Sequence, residues 1–222
     1  MIQLQFDFDL LLPVLYQGAL VTLALILVSA PFGFLNGIAI ALGRVYGNRF
    51  VSKLCHGYVL FFKGCPLLLL LFIIYFGLPS VGITFTAFTS AVIGFILCNG
   101  AYNSEYIRGG IQSVSRGQMT AALSLGMSGM QAIRSIILPQ ALRKSLPGLA
   151  NEFIYLIKYS SLAYMITVIE ITGAGKIFAA KYFAFFEVFI IIGIFYLALV
   201  TIAGQVIARI EKKIAIPGFG GV

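Results

Sequence analysis

Charged side chains are scarce in this sequence. They make up 10% of its 222 residues, whereas 60% of the residues are hydrophobic and the mean hydropathy is +1.03. A soluble domain has about 25% charged residues, so the composition excludes an ordinary soluble globular protein. Tryptophan is absent, but 20 phenylalanines and 11 tyrosines can supply the aromatic residues of a membrane interface. The sequence therefore predicts an all-α integral membrane protein.

The residues that acid–base and metal chemistry require are also few. The chain has one histidine, seven acidic residues and three cysteines, and their spacing indicates neither a catalytic cluster nor a metal site. A membrane enzyme that modifies lipids would need such a cluster, which disfavours this alternative. The segment GAGK at 173–176 lacks the first glycine and the Ser or Thr of a phosphate-binding loop, so no nucleotide site is predicted.

Long uncharged stretches define the predicted membrane spans, because about 20 apolar residues cross the hydrocarbon core as a helix. The stretch between Lys63 and Glu105 holds two spans, divided by the turn-forming residues GLPSVGIT at 77–84. In the first span, Gly33 and Gly37 share a face with Ala41, where another helix can approach closely. We predict one transmembrane domain over residues 1–222 with five spans, at about 14–43, 54–77, 85–104, 153–171 and 188–208.

The distribution of Lys and Arg predicts the orientation of these spans. Eleven of the fifteen basic residues follow spans 1, 3 and 5, two lie between spans 4 and 5, and Lys63 and Lys158 lie within spans. Basic residues accumulate on the cytoplasmic side, so the N-terminus is predicted outside and the C-terminus inside. Because topology accounts for the net charge of +8, nucleic acid is not an expected partner.

The loop between spans 3 and 4, at about 105–152, is predicted to be cytoplasmic and to contain short apolar helices. Its stretch 119–141 is apolar enough for a sixth span, but this would place Arg134 in hydrocarbon at a cost of about 3 kcal/mol. Short apolar helices outside the membrane must bury their faces against a partner. Gly126 permits a sharp turn between them, and Pro139 ends or kinks the second.

A charged residue inside span 2 is a candidate for a transport path. Lys63 is followed by Gly64 and Pro66, which can interrupt the helix, and transporter sites are often built at such breaks. Its ammonium group could bind a carboxylate of a substrate. The alternatives are that Lys63 extends to the membrane surface or pairs with an acid of the protein.

Uncharged polar residues in spans 3 and 4 are further candidates for this path. Asn99, Tyr102 and Asn103 lie on one side of a helix, where they either line a cavity or cross-link helices. Ser160 and Ser161 either face the path or donate hydrogen bonds to their own backbone.

The segment TAALSLGMSGMQAIRSIILP at 120–139 resembles the coupling motif of ABC importer permeases, which reads Glu-Ala-Ala, three residues, Gly, nine residues, Ile, one residue, Leu-Pro. Thr120 stands where the motif has its glutamate. Three further segments, FFKGCPL at 61–67, GAYNSEYIRGGI at 100–111 and LIKYSSL at 156–162, resemble signatures of permeases for polar amino acids. The residues that match the coupling motif are Ala121, Ala122, Gly126, Ile136, Leu138 and Pro139.

This resemblance implies a permease subunit of the histidine, glutamine and arginine type in the prokaryotic cytoplasmic membrane. It implies a cytoplasmic pair of ATPases that bind ATP and Mg²⁺, a second permease copy or paralogue, and an external amino-acid-binding protein. The chain itself would hold no cofactor and would not be an enzyme. The motif residues would couple the ATPases to alternating access of the amino acid. An ATP-independent transporter or a channel is the remaining alternative.

Overall fold

The computed structural model describes residues 8–214, and helices make up nearly all of this part of the chain. No strand occurs within these residues, so the expectation of an all-helical protein is confirmed for them. The remaining parts of the predicted domain, residues 1–7 and 215–222, lie outside the described residues. The α-helices are α1 (Phe8–Tyr46), α2 (Arg49–Gly64), α3 (Leu67–Phe72), α4 (Ala87–Ser113), α5 (Arg116–Ser124), α6 (Gly129–Ala132), α7 (Leu138–Tyr159), α8 (Ile171–Tyr182) and α9 (Phe185–Ile214).

Two π-helical turns interrupt this pattern, and a Leu-Pro pair follows each of them. The turn Ile73–Gly77 precedes Leu78, and the turn Ile133–Ile137 precedes Leu138. In both cases the leucine N–H donates to the carbonyl five residues earlier, which is the π-helical pattern. The proline that follows has no N–H group and cannot continue a regular α-helical ladder. The predicted turn near 77–84 is confirmed as a short 3₁₀ helix, Leu78–Val81, closed by a glycine with φ of 85°.

The centre of the fold is the contact between α1 and α4, the most extensive contact between two helices within residues 8–214. Gly33 and Gly37 of α1 are buried at this contact. A Cβ atom at Gly33 would collide with the side chain of Asn99, and one at Gly37 would collide with Asn103. The predicted close approach at this small-residue face is therefore confirmed, and α4 is the helix that approaches.

On the other side of α4 lies α7, and α8 packs between α1 and α9. Glu170 fixes the start of α8, because its carboxylate accepts the backbone N–H groups of Thr172 and Gly173 and the hydroxyl of Tyr196. The helix α8 is short, and its residues Phe178 and Ala179 are buried in the bundle.

The helices do not coincide with the predicted spans. By length and composition, the helices Phe8–Tyr46 and Phe185–Lys213 could each cross a membrane, and two bent pairs raise the number of candidates to four among the described residues. One pair, Arg49–Gly64 with Leu67–Val81, is bent by 102°, so the predicted second span is not one straight helix. In addition, α4 continues to Ser113, beyond the predicted span. The count of five spans therefore stays a prediction.

Candidate functional site

The sharp bend between α2 and α3 lies at the residues that the sequence marks as a helix break. Helix α2 ends at Gly64, Cys65 has an extended backbone, and Pro66 starts α3 without donating to the α2 ladder. Gly64 and Pro66 are exposed, as is Lys63 at the end of α2. The predicted interruption is therefore present, and it presents a cation at the break.

Tyr102 of α4 faces this break. The Lys63 ammonium nitrogen lies 5.3 Å from the centre of the Tyr102 ring, a cation–π contact between the two elements. The sequence analysis placed Tyr102 beside Asn99 and Asn103, but the structure divides these three residues. Tyr102 points towards α2, whereas the two asparagines point towards α1 and α7.

A buried chain of hydrogen bonds begins at the two asparagines. The Asn103 side-chain amide donates to the Asn99 oxygen over 2.7 Å, and the Asn99 amide donates to a Glu152 carboxylate oxygen over 3.4 Å. All three side chains are at least 94% buried. The asparagines thus cross-link α4 to α7. They also line a cavity of about 300 Å³ beside Pro31 of α1, so both of the predicted roles are present.

Glu152 is a member of this cluster that sequence reasoning missed. It marked only the edge of the predicted cytoplasmic loop, yet its side chain is 1% exposed and lies within electrostatic reach of Lys63. The signal was available, because Glu152 is the one acid in the long stretch from Arg116 to Ile169. A single acid in such an apolar stretch is a candidate for a functional group.

The hydroxyl groups of Ser160 and Ser161 bond to their own helix. Ser160 donates to the Ile157 carbonyl and Ser161 to the Lys158 carbonyl, each over 2.7 Å. Both residues belong to the 3₁₀ helix that follows α7. Of the two alternatives in the sequence, hydrogen bonding to the backbone is therefore the one present, and only Ser161 is partly accessible.

The residues of the predicted coupling motif form a compact hairpin of α5, a tight turn and α6. Gly126 closes the turn with φ of 84°, a left-handed conformation that glycine adopts without strain. The Met127 N–H donates to the Ala122 carbonyl across this turn over 3.1 Å. Ala122 is buried between the helices of the hairpin, whereas Ala121 and Thr120 are exposed.

The second half of the motif holds this hairpin on α7. Ser128 and Gln131 form a reciprocal capping box that starts α6. The π-helical turn that contains Ile136 then leads into α7 at Leu138 and Pro139. The predicted kink at the proline is thus a π-helical turn, and the helical path continues through it.

Two large apolar side chains project from the tip of the hairpin. Leu125 is 84% exposed and Met130 is 72% exposed. Isolated exposed apolar residues are common, but here they flank a turn that glycine and a capping box hold in one shape. The hairpin thus presents an apolar surface on a fixed support.

An ion cluster joins two helices, α1 and α4. The Arg44 guanidinium contacts Glu105 over 2.6 Å, and Arg108 contacts the other carboxylate oxygen over 2.8 Å. Glu105 lies just beyond the predicted third span. Burial raises the pKa of its carboxyl, but the hydrogen bonds from Arg44 and Arg108 outweigh burial and lower the pKa to about 2. Glu105 is therefore charged and fixes α1 against α4.

Comparison with known proteins identifies the family of this chain. The family described as "Binding-protein-dependent transport system inner membrane component" matches residues 33–216. A probable amino-acid ABC transporter permease of Bacillus subtilis (strain 168), YckA, is 42% identical over 203 residues, which cover 91% of this chain and 90% of that protein. The nopaline transport system permease NocM of Agrobacterium fabrum is 38% identical over 210 residues, which cover 90% and 87%.

Solved structures agree with this assignment. The crystal structure of an amino acid ABC transporter with histidines superposes with a TM-score of 0.84 at 33% identity, over 94% of this chain and 99% of that chain. An inward-facing MetNI methionine ABC transporter has a TM-score of 0.80 at 19% identity, which supports the fold alone. The chain therefore belongs to the family of binding-protein-dependent transport system inner membrane components, as a permease subunit of an ABC importer.

Proposed function

We propose that this permease moves a polar amino acid across the prokaryotic cytoplasmic membrane by alternating access. Its relatives named for nopaline, L-cystine and glutamine transport support an amino acid or a close derivative as the substrate. The partners are a cytoplasmic pair of ATPases that bind ATP and Mg²⁺, a second permease copy or paralogue, and an external binding protein. Five spans with the N-terminus outside and the C-terminus inside complete the proposal.

The observation that carries this proposal is the hairpin of α5 and α6. Its tip exposes Leu125 and Met130 while Gly126 and the capping box at Ser128 fix the backbone. An exposed apolar tip on a fixed support is suited to docking in a cleft of a partner. Because the π-helical turn joins the hairpin to α7, a movement of the partner would be transmitted to the helix that carries Glu152.

The substrate path follows from the opposite charges near the α2–α3 break. Lys63 and Glu152 lie within electrostatic reach of each other on different elements. An amino acid carries an α-carboxylate and an α-ammonium group. In this proposal the carboxylate faces Lys63, the ammonium group faces Glu152, and Asn99 holds the Glu152 carboxylate in place.

Co-purification and uptake with the cognate ATPase test this proposal. Leu125→Glu places a charge on the apolar tip, so it should reduce recovery of the ATPase with the permease about tenfold or more and abolish ATP-driven uptake in proteoliposomes. Leu125→Met is the matched control, because it keeps an apolar side chain and should preserve both. Full assembly and uptake with Leu125→Glu, or a permease that transports without any ATPase, would contradict the proposal.

A further inference from the structure

An apolar crevice lies between α1, α7 and α9, beside the cavity that Asn99 and Asn103 line. Its volume is about 600 Å³, within the range of roughly 300–1,000 Å³ typical of small-ligand sites. Leu146 and Phe153 of α7 contribute to the floor, Phe34 forms the wall on α1, and Ala203 and Val206 belong to the wall on α9. Val206 is 46% exposed, so this wall is accessible from outside the bundle.

The length of the crevice corresponds to one leaflet of a membrane. On α7 it extends from Leu142 to Phe153, which is about 16 Å at the rise of an α-helix. The hydrocarbon core of a bilayer is about 30 Å thick, so half of it has the same length. The length of the crevice therefore matches the thickness of the hydrocarbon layer of one leaflet, which an acyl chain spans.

Charged residues are confined to one end of the crevice. Arg143 and Glu211 line this end. Arg209, Lys212 and Lys213 lie beside Glu211 near the end of α9 and are exposed. The end is therefore basic overall, and basic sites between helices on the cytoplasmic side attract anionic lipid headgroups.

We propose that the crevice binds one anionic phospholipid of the cytoplasmic leaflet. An acyl chain lies between Phe34 and Val206, and the headgroup phosphate faces Arg143. This assignment to the cytoplasmic leaflet rests on the orientation given under the proposed function. Glu211 opposes the phosphate, so it limits the strength of binding.

Charge argues against two other occupants of the crevice. A second permease copy on the same surface would bring the basic end against itself, because a two-fold interface pairs identical patches. Like charges at an interface are unfavourable. The second alternative occupant is the C-terminal segment of this chain. Its residues 215–222 include no acidic side chain that could pair with Arg143.

The crevice also adjoins the candidate transport site. The cavity of about 300 Å³ that Asn99 and Asn103 line shares Phe34, Leu149 and Phe153 with the crevice. A chain that fills the crevice therefore packs against the helix faces next to the buried hydrogen-bond chain. Lipid occupancy should consequently affect transport as well as stability.

Native mass spectrometry of the full transporter tests this site, after exchange into nanodiscs that contain phosphatidylglycerol and phosphatidylcholine in equal amounts. We expect preferential retention of phosphatidylglycerol, at about one molecule per permease chain. Arg143→Gln should reduce this preference about fivefold, since one basic residue near the surface contributes about that factor. Glu211→Gln should increase the preference. Lys53→Gln, on α2 and outside the crevice, is the control and should leave it unchanged.

A second variant tests the crevice itself. Ala203→Phe fills part of the apolar wall and should lower the retention of both lipids. Equal retention of the two lipids by the wild type, or a preference that Arg143→Gln and Glu211→Gln leave unchanged, would overturn the proposal. A disulfide between two chains that carry Val206→Cys, in a background free of the native cysteines, would also overturn it, because a second copy would then occupy the crevice.

Discussion

The side-chain amide of Asn99 donates a hydrogen bond to the carboxylate of Glu152 and so joins α4 to α7 inside the bundle. Asn99 is 5% exposed and Glu152 is 1% exposed. A buried carboxylate is costly when a protein supplies few hydrogen bonds to it. Asn99 supplies one bond, which leaves Glu152 able to accept more from a substrate.

We expect Glu152→Gln to keep the fold and to lose transport. Glutamine has the same shape and can still accept the bond from Asn99, so the melting temperature should stay within a few degrees of the wild type. Uptake should fall about tenfold or more, because the attraction for an ammonium group is lost. Glu187→Gln, at an exposed acid of α9, is the control. Normal uptake by Glu152→Gln would make Glu152 a structural residue.

Lys63 should be needed for uptake and not for assembly. Lys63→Met keeps much of the side-chain length but removes the charge that faces Tyr102 across 5.3 Å, so uptake should be abolished or greatly reduced. Lys63→Arg should do less harm, because a cation remains. Membrane insertion and ATPase binding, measured by fractionation and co-purification, should be unaffected in both variants. Wild-type uptake by Lys63→Met would show that Lys63 does not bind the substrate, and the substrate site would then be sought on the Asn99 side of α4.

Two adjacent glycines of α4 offer a matched test of helix packing. A Cβ atom at Gly110 would collide with the Ser145 hydroxyl and the Ala141 carbonyl of α7, whereas one at Gly109 would meet open space. Gly110→Ala should therefore destabilise the protein by about 1–3 kcal/mol. Gly109→Ala should be neutral or stabilising by up to about 1 kcal/mol. Thermal unfolding in detergent measures both, and equal effects would show that α4 and α7 are not in close contact.

The turn at Gly126 should tolerate substitution according to backbone conformation and not according to size. No atom lies within 4 Å of a Cβ placed there, but φ is 84°. Asparagine adopts this conformation more readily than valine does. Gly126→Asn should retain most of the coupling, and Gly126→Val should lose it while the protein still inserts. Substrate-stimulated ATP hydrolysis is the measurement, and equal loss in both variants would indicate that the partner contacts the glycine directly.

The Glu105 cluster predicts a dependence of stability on pH. The pKa of Glu105 is lowered from its usual 4.5 to about 2, so the charged form stabilises the folded state. This contribution is fully present above about pH 5 and is lost as the pH falls towards 2. Melting curves between pH 7 and pH 3 should show a decline that is shallower in Glu105→Gln. An identical decline in that variant would assign the acid sensitivity to other groups.

The sequence predicted the helical class, the close approach at Gly33 and Gly37, the turn at Gly126 and the interruption at Pro66. The helical class follows from the composition of the chain. The other three depend on local chemistry, such as a missing side chain or a missing N–H group, that can be read at one position. Small residues four apart on α1 predicted a close neighbouring helix, but only the structure identifies that helix as α4.

The sequence did not predict that Glu152 is the buried hydrogen-bond partner of Asn99. Glu152 lies far from Asn99 in the chain, and only the packing of α7 on α4 brings the two together. The division of Tyr102 from Asn103 was likewise not predictable, since a helical period gives a shared side but not which neighbour each residue contacts. The sequence left open whether Pro139 ends or kinks the helix, and it did not predict that a π-helical turn precedes the proline.

That π-helical turn also sets the rotational phase of the hairpin. A π-helical turn holds one residue more than an α-helical turn, and each α-helical residue advances the chain by about 100° around the axis. Loss of a single residue between Ile133 and Ile137 would restore a regular α-helix and swing the tip with Leu125 and Met130 by about that angle relative to α7. The direction in which the apolar tip points relative to α7 therefore depends on the number of residues in this turn.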